Sequence, residues 1–241
     1  MAKTIGNDIL LSESMVSPDY KVDFAIGTTY SLDLEYLLSI TIYLGLLGEL
    51  DEILQKSPHY LLNAVLESRD KFMVFCNASN VGYDSVKVPK SATKLYSLLE
   101  NSIKPLCLSK NAKNIINFHP KIWVIKETST FDNSAQIKLI VSSRNMTQST
   151  SLDIVSTLTG KIQNKPQNRK KIKPLWEFLE WLKANSKCDK NQLYKIDCLI
   201  ADLKKVSDFD LTLDSLQSNS DIFEAYQFLP IGIDSAKNKA K

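Results

Sequence analysis

The stretch that decides the fold is Asn117-Phe118-His119-Pro120-Lys121-Ile122-Trp123-Val124-Ile125, followed later by Leu139-Ile140-Val141-Ser142-Ser143-Arg144-Asn145-Met146-Thr147. Each half joins an apolar run, typical of a buried strand, to a group of polar side chains. Because side chains alternate along a strand, His119 and Lys121 are predicted to share one face. If the two strands pair, polar side chains from both converge on one pocket, namely His119, Lys121, Ser143 and Asn145.

Such a pocket suits phosphoryl transfer. An imidazole can attack phosphorus and form a covalent phosphohistidine. Hydrogen-bond donors on Lys121, Ser143 and Asn145 can stabilise the charge on the phosphate oxygens in the transition state. A neutral imidazole also needs its second nitrogen oriented by an acceptor, and Asp153 on the following predicted strand is the candidate. This chemistry requires no metal and no cofactor.

These residues carry a resemblance to a known family. His119-Pro120-Lys121 and Ser142-Ser143-Arg144-Asn145 resemble the H-x-K … G-S-x-N signature of the phospholipase D superfamily. The flanking pattern over residues 115–160 is most similar to the phospholipase D-like nucleases of bacterial restriction and defence systems. The resemblance implies a metal-independent phosphodiesterase that cleaves nucleic acid, with DNA favoured.

The resemblance also implies roles for individual residues. His119 would be the nucleophile or its general-acid counterpart. Lys121, Ser143 and Asn145 would bind phosphate, and Asp153 would stand where the family often has an acid partner of the histidine. Further candidate substrate-binding residues are two neighbours in the motif and two lysines of the basic run 161–173, namely Ser142, Arg144, Lys170 and Lys171.

Three features depart from the family pattern, namely two residue positions and one spacing. Many members have Asp five residues after the motif lysine, where this chain has Lys126; tyrosyl-DNA phosphodiesterases also lack that Asp. Ser142 stands where the family has Gly. The separation from Lys121 to Asn145 is longer than usual, and a hairpin extension over residues 127–136 would account for it.

The number of motifs bears on the assembly. Family active sites use two histidines, one attacking phosphorus and one protonating the leaving group. The chain has two histidines, His59 and His119, and His59 has no lysine two residues later. A homodimer with two motifs facing each other across a two-fold axis would complete the site. The alternative is that the chain is the N-terminal half of a longer two-motif enzyme.

The rest of the chain predicts an α/β fold, with a phospholipase D-like mixed β-sheet flanked by helices on both faces. Strands are expected at residues 21–30, 71–77, 104–108, 136–142 and 152–159, and residues 114–126 are expected to form a strand pair or one long strand. Helices are expected from an N-cap at Ser31 to about residue 54, and over residues 58–68, 91–101 and 175–182. We expect a phospholipase D-like domain over residues 1–182 and an acidic helical extension with a frayed tail over residues 183–241.

Composition limits the class of protein. Of 241 residues, 44% are hydrophobic and 24% are charged, and the net charge is +3, as in an ordinary globular protein. The four cysteines form no C-x-x-C pair, which excludes a zinc ribbon or thioredoxin motif. The start lacks the apolar core of a signal peptide, and the longest apolar run, residues 36–48, is too short to span a bilayer. A cytoplasmic location without membrane contact is expected.

The sequence is also compatible with two other functions. The chain could be a catalytically inactive module that binds nucleic acid or acts as a scaffold. The basic run 161–173 could then track a nucleic-acid backbone through phosphate contacts, or it could be a solvated loop. A lipid-hydrolysing or phosphatidyl-transferring enzyme is less favoured, because the chain has no segment typical of a membrane-surface helix.

Overall fold

The computed structural model describes residues 15–45, 58–82, 96–106, 118–148, 154–164, 169–212 and 225–231. The strands in these ranges are β1 (Tyr20–Thr29), β2 (Leu32–Asp33), β3 (Phe72–Asn77), β4 (Val81–Gly82), β5 (Ile103–Leu106), β6 (Ile122–Ser129), β7 (Ala135–Ser142), β8 (Val155–Lys161) and β9 (Asp210–Thr212). The helices are α1 (Leu34–Gly45), α2 (Pro58–Ser68), α3 (Arg169–Ala184) and α4 (Lys190–Leu203), with a 3₁₀ turn at Glu100–Ser102.

Seven strands form one mixed sheet in the order β5-β3-β1-β6-β7-β8-β9. The pairs β5–β3 and β3–β1 are parallel, and every later pair is antiparallel. Strands β2 and β4 form a separate small parallel pair. The α/β class with a mixed sheet, predicted from the alternation of strands and helices, is confirmed.

Helices cover both faces of the sheet, because its strands are apolar on both sides. On one face Trp123 and Ile125 of β6 pack in a core that includes Leu37 of α1 and Val65 of α2. On the other face Val124 packs in a core built largely from α3 and α4, including Phe178, Leu182, Leu199 and Leu203. The expected flanking of the sheet on both faces is therefore observed.

The first helix begins later than expected. Ser31 was predicted as its N-cap, but Leu32 and Asp33 form strand β2 and α1 starts at Leu34. Asp33 caps the helix instead, since its Oδ1 accepts the backbone N–H of Glu35 at 2.9 Å. The Ser31 prediction is wrong because tertiary pairing with β4 extends the chain through Leu32 and Asp33. Residues 46–54 of the predicted helix lie outside the described residues.

The hairpin expected over residues 127–136 is present. The β6–β7 ladder continues to the pair Thr128 and Ala135, and the chain reverses between Ser129 and Ser134. Asn133 adopts a left-handed backbone with φ 56°, a conformation that asparagine tolerates in a turn. The longer separation between the two halves of the motif is thus taken up by two extended strands and their turn.

The C-terminal part of the chain joins the same structure. Helix α4 begins with a capping box in which Asp189 and Gln192 each bond the other's backbone N–H, and its buried face enters the core shared with α3. Strand β9 pairs with β8 at the edge of the sheet. The boundary expected between residues 182 and 183 falls inside the last turn of α3, a helix that shares one core with α4.

The helices in the described ranges include none that is long and apolar enough to cross a membrane.

Three cysteines lie in the described ranges. Cys76 is buried, and this burial raises the pKa of its thiol to about 12, while Cys188 and Cys198 are half-buried. Cys107 lies outside the described residues.

Candidate active site

The ends of four neighbouring strands meet at one end of the sheet. Strand β1 ends there at Thr29 and β7 at Ser142, while β6 and β8 begin there. The backbone N–H of Ser142 donates to the carbonyl of Lys121 at 2.9 Å, and that of Ser143 donates to the carbonyl of Ile154 at 3.0 Å. Both halves of the sequence motif are therefore in hydrogen-bond contact at this corner.

His119 and Lys121 lie side by side. Lys121 Nζ is 2.8 Å from His119 Nδ1 and 3.2 Å from Nε2, and it also donates to the His119 carbonyl at 3.2 Å. The imidazole is exposed, and the lysine is half-buried. The expected contact between an imidazole and a cation is present.

This contact does not arise from strand alternation as predicted, because β6 begins only at Ile122. Pro120 separates the two residues and lacks the N–H that would extend the ladder. Phe118 holds the segment on its other side, where its ring packs at 6.5 Å from the ring of Phe178 and 6.2 Å from that of Trp181. Aromatic packing on α3 thus anchors the residue that precedes His119.

Partial burial lowers the pKa of Lys121 from its ordinary value. Desolvation disfavours the charged form of an amine, which produces this direction of shift. A phosphate oxygen close to Nζ would compensate for the lost hydration and favour the ammonium. The lysine is therefore suited to bind an anion beside the imidazole.

Asn145 is linked to the same corner by Tyr30, a residue that the sequence analysis did not identify. Its Oδ1 accepts the backbone N–H of Tyr30 at 3.3 Å, and the ring of Tyr30 lies 5.2 Å from the imidazole of His119. Tyr30 thus contacts both halves of the motif. The available signal was the polar stretch Gly27-Thr28-Thr29-Tyr30 at the end of an otherwise apolar predicted strand.

Two buried threonines bind β1 to its neighbours at this point. Thr28 Oγ1 accepts the backbone N–H of Ile122 at 3.1 Å, next to Lys121. Thr29 Oγ1 accepts the N–H of Met146 at 3.0 Å, next to Asn145, and donates to the Ser31 carbonyl at 2.7 Å. These bonds hold the two halves of the motif at a fixed separation.

The serines and the arginine of the motif form the turn after β7. Ser142 Oγ accepts the N–H of Arg144 at 3.1 Å and lies 3.2 Å from its carbonyl. Ser143 is exposed, and its Oγ accepts the N–H of Ile154 at 3.0 Å. The two hydroxyls therefore help to shape the turn, and a contact of Ser142, Ser143 or Arg144 with phosphate stays a prediction.

Of the remaining predicted site residues, Lys170 and Lys171 are not brought together with His119. Asp153 lies outside the described residues. Lys171 pairs with Asp208 at 2.9 Å, close to where Asp210 of β9 pairs with Thr159. Ile154 lies at the corner, and Thr159 is five residues further along the chain. The ion pair of Lys171 and Asp208 therefore lies about 17 Å from the corner along the strand. Lys170 and Lys171, in the first turn of α3, belong to that opposite end of the sheet.

The residues gathered at the corner offer an imidazole, an ammonium and an amide. These groups suit an anion, and a divalent cation would need several carboxylate or further imidazole ligands. Among the residues that the structure describes, there is no group of three or more His, Cys, Asp or Glu able to hold a metal ion.

Comparisons with known proteins find similarity among the solved structures. No family model matches the chain, and no curated protein matches it. The structure is similar to that of the yeast tyrosyl-DNA phosphodiesterase, with a TM-score of 0.42 and 14% sequence identity. The similarity covers 81% of this chain and 37% of that one, so the chain spans about a third of the length of this neighbour.

Proposed function

We propose that the protein is a metal-independent phosphodiesterase of the phospholipase D type, which cleaves nucleic acid through a phosphohistidine intermediate. The observation that carries the proposal is the position of Lys121 Nζ, 2.8 Å from His119 Nδ1, at the corner where Tyr30 holds Asn145. An exposed imidazole flanked by a partly desolvated ammonium and an amide is suited to attack a phosphodiester.

Each group has a distinct part in this chemistry. An ammonium can only donate, so an imidazole nitrogen that accepts from Lys121 would carry the free lone pair that attacks phosphorus. A phosphate oxygen is a charged acceptor and forms a stronger hydrogen bond with the ammonium than a neutral ring nitrogen does. An incoming phosphodiester would therefore draw Lys121 Nζ toward its oxygens and leave the nitrogen lone pair available. The Asn145 amide would donate to a second phosphate oxygen.

The reaction has two steps. In the first, a His119 nitrogen forms a bond to phosphorus, the bond from phosphorus to the leaving oxygen breaks, and a second imidazolium gives that oxygen its proton. In the second step, the second imidazole, which is now neutral, takes a proton from water. The water oxygen then bonds to phosphorus, the P–N bond breaks, and His119 is restored. One imidazole must be neutral and the other protonated, so activity against pH should follow a bell-shaped curve.

The second imidazole is proposed to come from the His119 of another copy of the chain. The sequence contains one H-x-K motif, and an isologous dimer would place two copies of it face to face. In such a dimer the exposed side chains of Ile154 (73% exposed) and Val141 (39% exposed), which lie beside the corner, would be available for contact with the second copy.

DNA is the proposed substrate. This choice rests on the resemblance of the flanking sequence to the nucleases of restriction and defence systems. Phosphate contacts alone carry no base information, so the corner by itself would cleave without sequence preference.

The test is a cleavage assay on plasmid and single-stranded DNA in excess EDTA. Wild-type protein, His119→Ala and the matched control His59→Ala are compared, and light scattering gives the mass of each preparation. We expect EDTA-resistant cleavage by wild type and His59→Ala, no cleavage by His119→Ala, and a dimeric mass. An acid-labile phosphate adduct on the peptide that contains His119 would identify the intermediate.

Other outcomes favour the competing functions. A dimer that binds DNA without cutting it would support a non-catalytic binding module. A monomer without cleavage would indicate that the second motif lies in another segment or another protein. Cleavage that EDTA abolishes would contradict the metal-independent mechanism.

A further inference from the structure

Tyr30 contacts both chemical groups of the candidate active site. Its ring centroid lies 5.2 Å from that of His119, with the two planes tilted by 41°. Its backbone N–H donates to Oδ1 of Asn145 at 3.3 Å. Two residues that are 26 positions apart in the sequence are therefore contacted by one residue, which directly follows strand β1.

The position of Tyr30 is set by the structure around it. Strand β1 lies inside the sheet, between β3 and β6. Thr28 and Thr29, the two preceding residues, are fully buried and hydrogen-bonded to Ile122 and Met146. The backbone that carries the tyrosine ring is thus fixed on two sides.

His119 needs such support more than a residue within a strand would. It lies before β6, its imidazole is exposed, and Pro120 prevents the ladder from extending to it. An exposed side chain with two free dihedral angles samples several rotamers. An aromatic ring against one side of the imidazole, with Lys121 Nζ against its nitrogens, reduces that freedom.

We propose that Tyr30 is a positioning residue for the reaction, an inference that rests on the proposed phosphodiesterase function. Its ring holds the imidazole of His119 in the orientation for in-line attack on phosphorus. Its backbone N–H binds the amide oxygen of Asn145, so that the two N–H donors of that amide face away from the Tyr30 backbone, where phosphate oxygens can accept them. Tyr30 takes no part in bond formation.

The ring contact with His119 and the hydrogen bond to Asn145 can be tested separately, because the hydrogen bond uses the backbone of Tyr30. Tyr30→Leu removes the aromatic ring and keeps the N–H that binds Asn145. Tyr30→Phe removes the hydroxyl and keeps the ring. Tyr194→Leu is the matched control, because it makes the same change at a tyrosine of α4 that is 68% exposed.

The first readout is steady-state cleavage in excess EDTA. For Tyr30→Leu we expect kcat to fall about 10–100-fold with KM within about threefold of wild type, because misplacement of a nucleophile affects the chemical step more than binding. Tyr30→Phe and Tyr194→Leu should retain kcat within about threefold. Thermal unfolding of each variant shows whether the fold is kept.

The second readout does not depend on activity. In a His59→Ala background, His119 is the remaining histidine, and its imidazole signals in NMR spectra can be assigned without ambiguity. Its three-bond couplings across χ1 should indicate one rotamer in wild type and Tyr30→Phe. In Tyr30→Leu they should average over several rotamers.

The outcomes separate this inference from the proposed function. Unchanged kcat and unchanged couplings in a folded Tyr30→Leu variant would overturn the positioning role. Absence of His119-dependent cleavage in the wild type would overturn the proposed function, and the couplings would then decide alone whether Tyr30 orients the imidazole. A fall in kcat for Tyr30→Phe equal to that for Tyr30→Leu would also overturn the inference, because it would assign the effect to the hydroxyl.

Discussion

The backbone N–H of Tyr30 and the side-chain oxygen of Asn145 are joined by a hydrogen bond of 3.3 Å, which sets the orientation of the amide. An amide whose oxygen accepts from the backbone must present its N–H₂ on the other side. The donor end of Asn145 is therefore oriented by Tyr30, a residue that directly follows β1 and is distant in sequence. This orientation is the basis of the first prediction.

Asn145→Asp should abolish most activity without loss of stability. Asp keeps an oxygen for the N–H of Tyr30, but it replaces the donor group by a negative charge that repels phosphate. Removal of one transition-state donor of this kind typically lowers kcat about 100-fold or more. Cleavage kinetics and thermal unfolding measure the two effects. The control is Asn191→Asp, the same change at an exposed position in the first turn of α4, and equal activity of both variants would contradict the role of Asn145.

Mixtures of wild type and His119→Ala test whether two copies share one site. If both histidines of a dimer are needed, an exchanged half-and-half mixture should retain about one quarter of the wild-type activity, because only dimers with two intact copies cut. Independent sites would retain about one half. The mixture is incubated until subunits exchange, and plasmid cleavage is then measured in EDTA. Retention of half the activity after complete exchange would contradict the composite site.

Gly27→Ala should destabilise the protein by about 1–3 kcal/mol, as overpacking of a filled core does. An added Cβ at Gly27 would lie 2.8 Å from two ring atoms of Trp123 and 2.9 Å from Cε of Met146. Because Met146 follows Asn145, kcat should fall as well. In Gly82→Ala the added Cβ meets nothing within 4 Å, so its free energy of unfolding should change by less than about 0.5 kcal/mol. Urea unfolding of the two variants makes the comparison.

Alkaline pH should destabilise the fold through Cys76. Burial raises the pKa of its thiol to about 12, against an ordinary value of 9.0. Below the ordinary value both states keep the proton. Between the two values the unfolded chain loses it while the folded protein does not, so the free energy of unfolding falls as pH rises.

The comparison uses urea unfolding near pH 8 and near pH 10, in reductant, for wild type and Cys76→Ala. Wild type should lose about 1–2 kcal/mol more than the variant over this interval. Tyr96 and Tyr226 also have raised pKa values, but they are present in both proteins and their effect cancels. Parallel pH dependence in the two proteins would show that the thiol does not contribute.

A buried carboxylate at the other end of the sheet should affect stability alone. Glu127 is fully buried and accepts from the backbone N–H of Ser17 at 3.0 Å, from Ser17 Oγ at 2.5 Å and from Gln136 Nε2 at 2.6 Å. Glu127→Gln places a donor against these donors and should cost about 2–4 kcal/mol. Exposed Glu67→Gln is the control. The activity per folded molecule should stay unchanged, and a loss of kcat would contradict the separation of this cluster from the site.

Local patterns in the sequence predicted the elements that carry the motif. The apolar runs around Val124 and Ile140 were recognised as strands because they are buried on both faces, and the turn residues between them indicated a hairpin. The side-by-side placement of His119 and Lys121 was predicted correctly, although the reason was wrong, since Pro120 keeps both residues outside β6. The start of α1 was misplaced, because pairing of β2 with β4 overrides the local signal of Ser31.

The sequence by itself determined which chemical groups are available, namely one H-x-K motif and one turn that contains serine and asparagine. It also determined that each group adjoins an apolar, buried strand. Only the tertiary structure decided how these groups face one another. The parallel and antiparallel pairing of β1 with β3 and β6 brings Tyr30 against His119 and Asn145, and it places Lys170 and Lys171 at the opposite end of the sheet. Contacts between distant strands depend on sheet order and register, which hydrogen bonding and packing of the whole core determine, and no local stretch of sequence encodes them.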